Sequence, residues 1–388
     1  MKLTIFFDHR FILRDTGNIE SPIHYNYSLF AERYLPHFGS IDLVARSPLP
    51  LGVRRPLGKD IDIVSAGEWN GPLDFVVKRS AITRLIHSQL SLPTSVIAIV
   101  PGLLGGLAFP LLKSRSIPYA VEVVGDPCGS MGPGTSKHPL REVMRIHMSR
   151  QLRSICKGAS CAAYVTQDAL QKLYPPSSEA YVTNYSSIEL NLSDLVDKPR
   201  VYPSTIHSAK LVCIGTMEHL YKGQDLLIES MKECIKILPD IQLTLVGDGK
   251  YRGRLENQVV SLGLQDSIFF TGKLPPGDAV KQQFDYCDLY VLPTRGEGLP
   301  RTIIEAMARG VPCVASRVSG VPELIPNDCL VEPGNPVELA DKIITMLRDS
   351  VRMSALSAIN LEQSRNYLRE ILATKRNKFY TELLERST

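Results

Sequence analysis

The feature that most constrains this chain is a pattern that runs twice. Short apolar stretches alternate with longer helical ones, stop at a polar segment, then resume. Strand-like runs fall at 3–7, 41–46, 96–100, 119–124, 161–165 and 181–183, with helical stretches at 24–35, 73–90 and 139–157. After 190–209 the alternation restarts with strands at 211–214, 242–246, 267–270, 289–292 and 313–315. Helical stretches at 224–238, 251–262, 279–286 and 301–309 separate them. Strands alternating with helices imply βαβ units and mostly parallel sheets, here two of them. The segment 190–209, LNLSDLVDKPRVYPSTIHSA, is polar, holds two prolines and reads as a linker. The expected organisation is a Rossmann-like domain over 1–189, a linker over 190–209 and a second Rossmann-like domain over 210–367. A final helix over 368–388 is expected to pack back on the first domain.

A chain of 388 residues suits two domains of usual size. Its net charge of +4 is too mild for a dedicated nucleic-acid binder. The eight cysteines contain no CxxC pair, so no zinc or redox motif is written here. Cys213 and Cys313 sit in apolar strand-like runs and read as reduced core residues. The opening MKLTIFFDHR has too short an apolar run for a signal-peptide core and reads as a first strand. Residues 88–112 carry no charge, but Pro101, Gly102, Gly105, Gly106 and Pro110 interrupt them. A strand, turn and helix is expected there rather than a membrane span.

The chemistry concentrates in Thr294-Arg295-Gly296-Glu297-Gly298-Leu299-Pro300 and the helical stretch after it. Pro300 suits the first helical turn and Gly310 the position past the helix end. Gly296 and Gly298 leave the preceding turn bare, so backbone amides can approach a ligand. A helix amino terminus is a ready anion site. Glu297 precedes it and Glu305 lies in its second turn, separated by at most about 12 Å of helical rise. Two carboxylates flanking an anion site match a nucleotide sugar, which has hydroxyls at both ends and a diphosphate between. Taken alone, the pair also fits a solvated Glu297 and a Glu305 paired with Arg301 or Arg309.

The stretch from Glu297 to Glu305 resembles the EX7E signature of the GT-B retaining glycosyltransferases of family 4. Val291–Thr294, Glu305–Ala315 and Ser319–Leu324 resemble the same family, as do Tyr221–Leu227 and Leu245–Gly249. The resemblance covers 209–325 and implies a GT-B fold, with two Rossmann-like domains facing each other across a cleft. It implies that Lys222 neutralises the departing diphosphate, Glu297 contacts the transferred sugar and Glu305 binds ribose hydroxyls. Gly298 and Leu299, just ahead of Pro300, offer amides to phosphate, while Gly247 and Asp248 lie near base or ribose. One departure stands out: after the first strand the family often has Gly-Arg, and this chain has Gly215-Thr216. Thr216 brings a hydroxyl but no charge, which makes Arg295 and Arg301 candidates to supply it. Asp60-Ile61-Asp62 spells a DxD but leads into a strand-like run, so no metal or resident cofactor is implied.

The first domain resembles the family less. Gly17 suits a turn close to the donor phosphate, with a plain turn as the competing reading. Asp126, after the strand at 119–124, is the nearest ionisable group to where relatives place a histidine, and is the candidate base or electrostatic stabiliser. A turn-capping aspartate before Pro127 is the competing reading. Residues 137–157 form a basic amphipathic helix with Leu140, Met144, Met148, Leu152 and Ile155 on one stripe, opposite Arg150, Arg153 and Lys157. That face is either solvated or set against anionic headgroups or a diphosphate-linked acceptor.

The resemblance implies transfer of a hexose-type sugar from a UDP- or GDP-linked donor, with retention, to a lipid-linked or polysaccharide acceptor in surface polysaccharide synthesis. The expected location is the cytoplasm, with peripheral contact at the inner face of the membrane through 137–157. Nucleic acid is not an expected partner. A nucleotide-sugar epimerase and a non-catalytic sugar-binding protein are the alternatives. An NAD-dependent oxidoreductase fails, because neither glycine cluster has GxGxxG spacing.

Overall fold

The computed structural model describes the chain except residues 15–17, 22–24, 92, 131–140, 205, 207 and 388. Two compact units emerge: Met1–Gly125 with His147–Tyr185 and Ala373–Thr388, and Asp126–Ile146 with Ser186–Leu372.

The first stretch of chain runs β1 (Lys2–Arg10), a hairpin of β2 (Ile12–Leu13) and β3 (Ile19–Glu20), α1 (Tyr27–Tyr34), β4 (Ser40–Arg46), β5 (Arg54–Gly58) and β6 (Ile61–Ser65). It continues with α2 (Gly71–Gln89), β7 (Ser95–Val100), α3 (Leu103–Ser114), β8 (Ala120–Val123), α4 (Pro127–Ser130), α5 (Arg141–Gly158), β9 (Cys161–Tyr164), α6 (Ala169–Leu173) and β10 (Tyr181–Asn184). The sheet order is β10-β9-β8-β7-β1-β4-β6-β5. Its neighbours are parallel except β5, which runs antiparallel to β6. The central strands are buried on both faces, as parallel strands covered by helices must be, and Leu3, Ile5, Phe6, Ile63 and Ile97 are fully enclosed. From β1 the chain steps to β4 and β6, then returns through α2 to β7 and steps the other way to β10. Right-handed crossovers therefore place α2, α3 and α5 on one face and α1 on the other.

The charge-free segment 88–112 holds β7 and most of α3, whose amino terminus is capped by Asp8: its carboxylate accepts from the Leu103 and Leu104 amides. Among the described residues, no helix is long and apolar enough to cross a membrane. Among the pieces that escaped the sequence pattern are the β2–β3 hairpin and the edge strand β5. The latter, RRPLG, carries charge and a proline and is half-exposed, so no apolar alternation marks it. Asp60 sits in the turn after β5, and Asp62 lies on β6, 3.6 Å from Arg54.

The second unit runs β11 (Lys210–Ile214), α7 (Gln224–Ile237), β12 (Gln242–Val246), α8 (Arg252–Leu262), β13 (Ile268–Gly272), α9 (Asp278–Tyr286) and β14 (Leu289–Leu292). Then follow α10 (Arg301–Ala308), β15 (Cys313–Ser316), β16 (Leu330–Val331), α11 (Pro336–Arg348) and α12 (Ser350–Ser364). The sheet is parallel throughout, in the order β13-β12-β11-β14-β15-β16. Cys213 and Cys313 are buried in β11 and β15.

The expected boundaries shift. Residues 190–209 belong to the second unit rather than bridging freely. Arg200 explains this: its guanidinium donates to the carbonyls of Cys287, Phe284 and Arg309 at 2.5, 2.7 and 3.1 Å. Val196 adds a backbone bond to Ala308, and the Tyr202 hydroxyl one to Asp288. Residues 126–146 also fall in the second unit, although they precede the last strands of the first. The closing helix α13 (Arg369–Ser387) contributes its residues from Ala373 onward to the first unit. There the Tyr380 ring lies 5.0 Å from that of Tyr34 of α1, tilted by 39°.

Candidate active site

In the second sheet β11 and β14 are neighbours, yet the chain leaves them in opposite directions, to β12 and β13 on one side and β15 and β16 on the other. Ligands of open α/β sheets bind beyond the carboxyl ends of strands at such a reversal. The β11 end leads through Gly215 and Thr216 into a short turn of helix at Leu220–Lys222. The β14 end leads through Thr294 and Glu297 into α10. Strand adjacency thus brings together two loops far apart in sequence.

Their meeting point is an ion pair: Lys222 Nζ lies 2.5 Å from Glu297 Oε1, with the side chains 13% and 11% exposed. Burial works against the Lys222 ammonium, but Glu297 and Tyr221 outweigh it and hold its pKa above the usual lysine value. The Tyr221 ring lies 5.2 Å from Nζ, and the Thr294 hydroxyl 3.4 Å from the Glu297 carboxylate. Arg295 braces the loops, forking onto Asp225 at 2.8 and 2.9 Å and donating to the Leu220 carbonyl. That commitment removes Arg295 as a replacement for the charge missing at Thr216. Arg301 is exposed at the first residue of α10, within electrostatic reach of Glu305. Two glycines permit the close packing. A Cβ on Gly247 (φ 139°) would fall 2.0 Å from the Gly215 carbonyl oxygen, and one on Gly223 (φ 77°) 2.0 Å from that of Pro293.

Glu305 projects from α10 into a cavity of about 400 Å³ whose lining includes Ile214, Phe284, Pro276 and Lys281. Burial pushes its carboxyl above the ordinary value; Arg301 pulls it back and Asp194 adds to the rise. The sequence-level alternative of a pairing with Arg309 does not form, because Arg309 forks onto Asp285 at 2.7 and 2.9 Å. Ile188, Leu190, Asn191 and Asp194 also line this cavity, with Asp194 2.5 Å from Lys281. Sequence reasoning missed them, since they lie at or beside the segment read as a linker. The apolar Ile188 and Leu190 were the available signal that this stretch is packed.

The remaining site residues spread out. Thr216 Oγ1 accepts from the Glu218 amide at 3.2 Å, and Gly215 leaves room for the Lys222 stem. Asp248 is half-exposed, accepts from the Gly249 amide and pairs with Arg252 at 3.2 Å. Gly298 spends its carbonyl on the Gly320 amide, Leu299 is buried, and Pro300 stands just before the first helical residue rather than within the turn. Asp126 Oδ1 accepts from the Cys128 amide at 2.8 Å, the turn-capping arrangement at the start of α4. Gly17, and residues 137–140 of the basic stretch, lie outside the described residues.

Glu305 also gives a pH expectation. A carboxyl whose folded-state pKa is raised stabilises the fold fully only below its unfolded value, and stability falls as pH rises through the folded value. Glu305→Gln should therefore melt at the same temperature as the parent near about pH 4 and at a higher one near about pH 7. Equal melting temperatures at both values would remove burial as the cause.

Residues 208–349 match the family described as Glycosyl transferases group 1. The chain is a glycosyltransferase with a group 1 domain. It is similar to Protein CapJ of Staphylococcus aureus, 26% identical over 75% of this chain and 72% of that one. A GDP-mannose-dependent monoacylated alpha-(1-6)-phosphatidylinositol monomannoside mannosyltransferase of Corynebacterium glutamicum is 35% identical over 35% of this chain and 38% of its own. The fold is GT-B. Sucrose-phosphate synthase from Thermosynechococcus elongatus superposes with a TM-score of 0.74 over 99% of both chains at 18% identity. HepE of Anabaena, solved with UDP and glucose, gives 0.67 over 100% of both at 16%.

Proposed function

We propose that this glycosyltransferase moves a hexose-type sugar from a UDP- or GDP-linked donor to a lipid-linked or polysaccharide acceptor in surface polysaccharide synthesis, with retention at the anomeric carbon. The observation that carries the reading is the Lys222–Glu297 pair at the strand reversal, with Glu305 in the adjoining cavity. The nucleoside enters the cavity and its ribose hydroxyls donate to Glu305. The diphosphate meets the amides ahead of α10 and the Lys222 ammonium, which exchanges Glu297 for phosphate. Glu297, released, accepts from sugar hydroxyls and faces the positive charge that grows at the anomeric carbon.

In the transfer step the bond from anomeric carbon to donor phosphate oxygen breaks while the acceptor oxygen bonds on the same face. The acceptor proton passes to the departing phosphate oxygen. The products are a nucleoside diphosphate and a glycoside with the donor's configuration. Lys222 is worth most at this moment, because phosphate charge grows as the bond lengthens. The UDP complexes of HepE and the GDP-mannose dependence named for the corynebacterial relative support the donor class.

A thermal-shift panel of UDP and GDP sugars tests this first, since protection follows ligand excess over its dissociation constant. A sugar of one base should protect, and Glu305→Gln should weaken that protection about tenfold or more, as a hydrogen bond to a charged acceptor is worth roughly 1.5–3 kcal/mol. Product analysis by NMR then reads the anomeric configuration. Donor turned over to an epimer without acceptor, or protection without turnover against any acceptor, would replace the proposal with one of its rivals.

A further inference from the structure

The helices on one face of the first sheet carry an unusual charge distribution. Lys78, Arg79 and Arg84 on α2, Lys113 on α3, and Arg150, Arg153 and Lys157 on the part of α5 within this unit are all exposed. These helical segments contain one acid, Asp74, which Lys78 already holds at 3.0 Å. Arg79, Arg84, Lys113, Arg150 and Lys157 have no acidic partner among the described residues. Between the last turns of α3 and α5, Lys113 and Lys157 flank an open cavity of about 650 Å³ with Phe109 and Tyr119 in its wall.

At the start of α2 the same face changes character. Leu73, Val76 and Val77 are 84%, 64% and 81% exposed. Their spacing puts them on one stripe, which continues to Ser80 and Arg84. The opposite stripe of α2, with Ile82, Leu85 and Ile86, is buried in the core. Single exposed apolar side chains are ordinary, but three adjoining ones on a helix that goes on to carry Lys78, Arg79 and Arg84 are not.

We propose that this face docks on an anionic lipid bilayer. Leu73, Val76 and Val77 enter the boundary between headgroups and acyl chains, while the cations of α2, α3 and α5 lie over lipid phosphates. Charge complementarity selects the partner: excess positive charge spread over three helices, next to a small apolar wedge, is the layout of interfacial helices. These residues lie outside the donor site, so the docking stands or falls apart from the proposed transfer reaction.

Sedimentation of the full chain with vesicles tests it. Vesicles of phosphatidylcholine alone are compared with ones containing about one-third phosphatidylglycerol, at about 0.05 M and about 0.5 M salt. Binding is expected only to the anionic vesicles, and about tenfold weaker or less at the higher salt. Arg79→Gln with Arg84→Gln should lower it about tenfold or more, each cation being worth about fivefold at an anionic leaflet. Leu73→Ser, Val76→Ser and Val77→Ser together should also lower it about tenfold. Each variant must keep its melting temperature, which separates lost docking from lost folding. No binding to anionic vesicles at low salt, or full binding by the triple serine variant, overturns the proposal. So does a dimer seen by light scattering that the triple variant dissolves, which would make this face a contact between two copies of the chain.

Discussion

Replacing Lys222 by alanine is expected to cut turnover by about a hundred- to a thousandfold, the usual cost of removing one group aimed at charge that develops in the transition state. Lys222 is nearly enclosed, so its ammonium acts in a medium that screens it far less than water does. Thr216 supplies no charge and Arg295 is committed to Asp225, so more of the load falls on Lys222, with Arg301 at the first residue of α10. Donor binding should fall less than turnover, because ground-state phosphate also meets the backbone amides ahead of α10. The substitution has a second effect, on stability. It leaves Glu297 part-buried beside Thr294 without its ammonium, and breaking a buried pair costs roughly 3–5 kcal/mol, less where some exposure remains. Lys222→Met combined with Glu297→Gln removes both charges and should regain most of that stability while leaving turnover low. A double-mutant cycle on melting and on turnover separates the two roles. Turnover of Lys222→Ala within threefold of the parent would end the assignment of Lys222 to the leaving group.

The elements of this fold were legible because their signals are local. β11, β12 and β14 announce themselves as short apolar runs, and α10 is bracketed by Pro300 and Gly310, whose φ of 63° suits glycine. Glu297 and Glu305 could be singled out because they sit on one loop and one helix. What connects Glu297 to Lys222, 75 positions away, is the adjacency of β14 and β11, and succession along a chain does not state the order of strands in a sheet. The packing of 190–209 was hidden for another reason. Arg200 is fixed by three main-chain carbonyls, acceptors that every residue carries and no side-chain pattern reveals. Asp126 shows the reverse difficulty: an aspartate before proline caps a turn or serves a reaction with the same spelling, and the Cys128 amide accounts for one of its oxygens.

Deleting residues 373–388 is expected to unfold the first unit altogether. Seen in sequence, this segment is a charged helix with little amphipathic pattern, yet Phe379, Tyr380 and Leu383 are fully buried and Arg376 is nearly so. Its polar anchor is Glu122 of β8. That buried carboxylate accepts from the hydroxyls of Tyr185 at 2.9 Å, Tyr380 at 3.3 Å and Tyr34 at 3.4 Å. Burial, with Glu122 adding to it, holds the Tyr185 phenol well above its usual range, so it stays a proton donor. Truncating one buried aromatic side chain costs roughly 3–5 kcal/mol. Losing two aromatics and a leucine at once therefore approaches the roughly 5–15 kcal/mol that holds a whole domain together. Tyr380→Ala alone should cost about 3–5 kcal/mol. Tyr380→Phe should cost only about 1 kcal/mol, because Glu122 keeps two other donors. Urea unfolding followed by circular dichroism reads the single variants, and hydrogen exchange reads the deletion. In the deletion, amides of β1, β4 and β7 should lose protection while those of β11 and β14 keep it. Retained protection in β1 would mean that the first sheet holds without α13, and that the tyrosine–Glu122 cluster is an ornament of the core rather than its clasp.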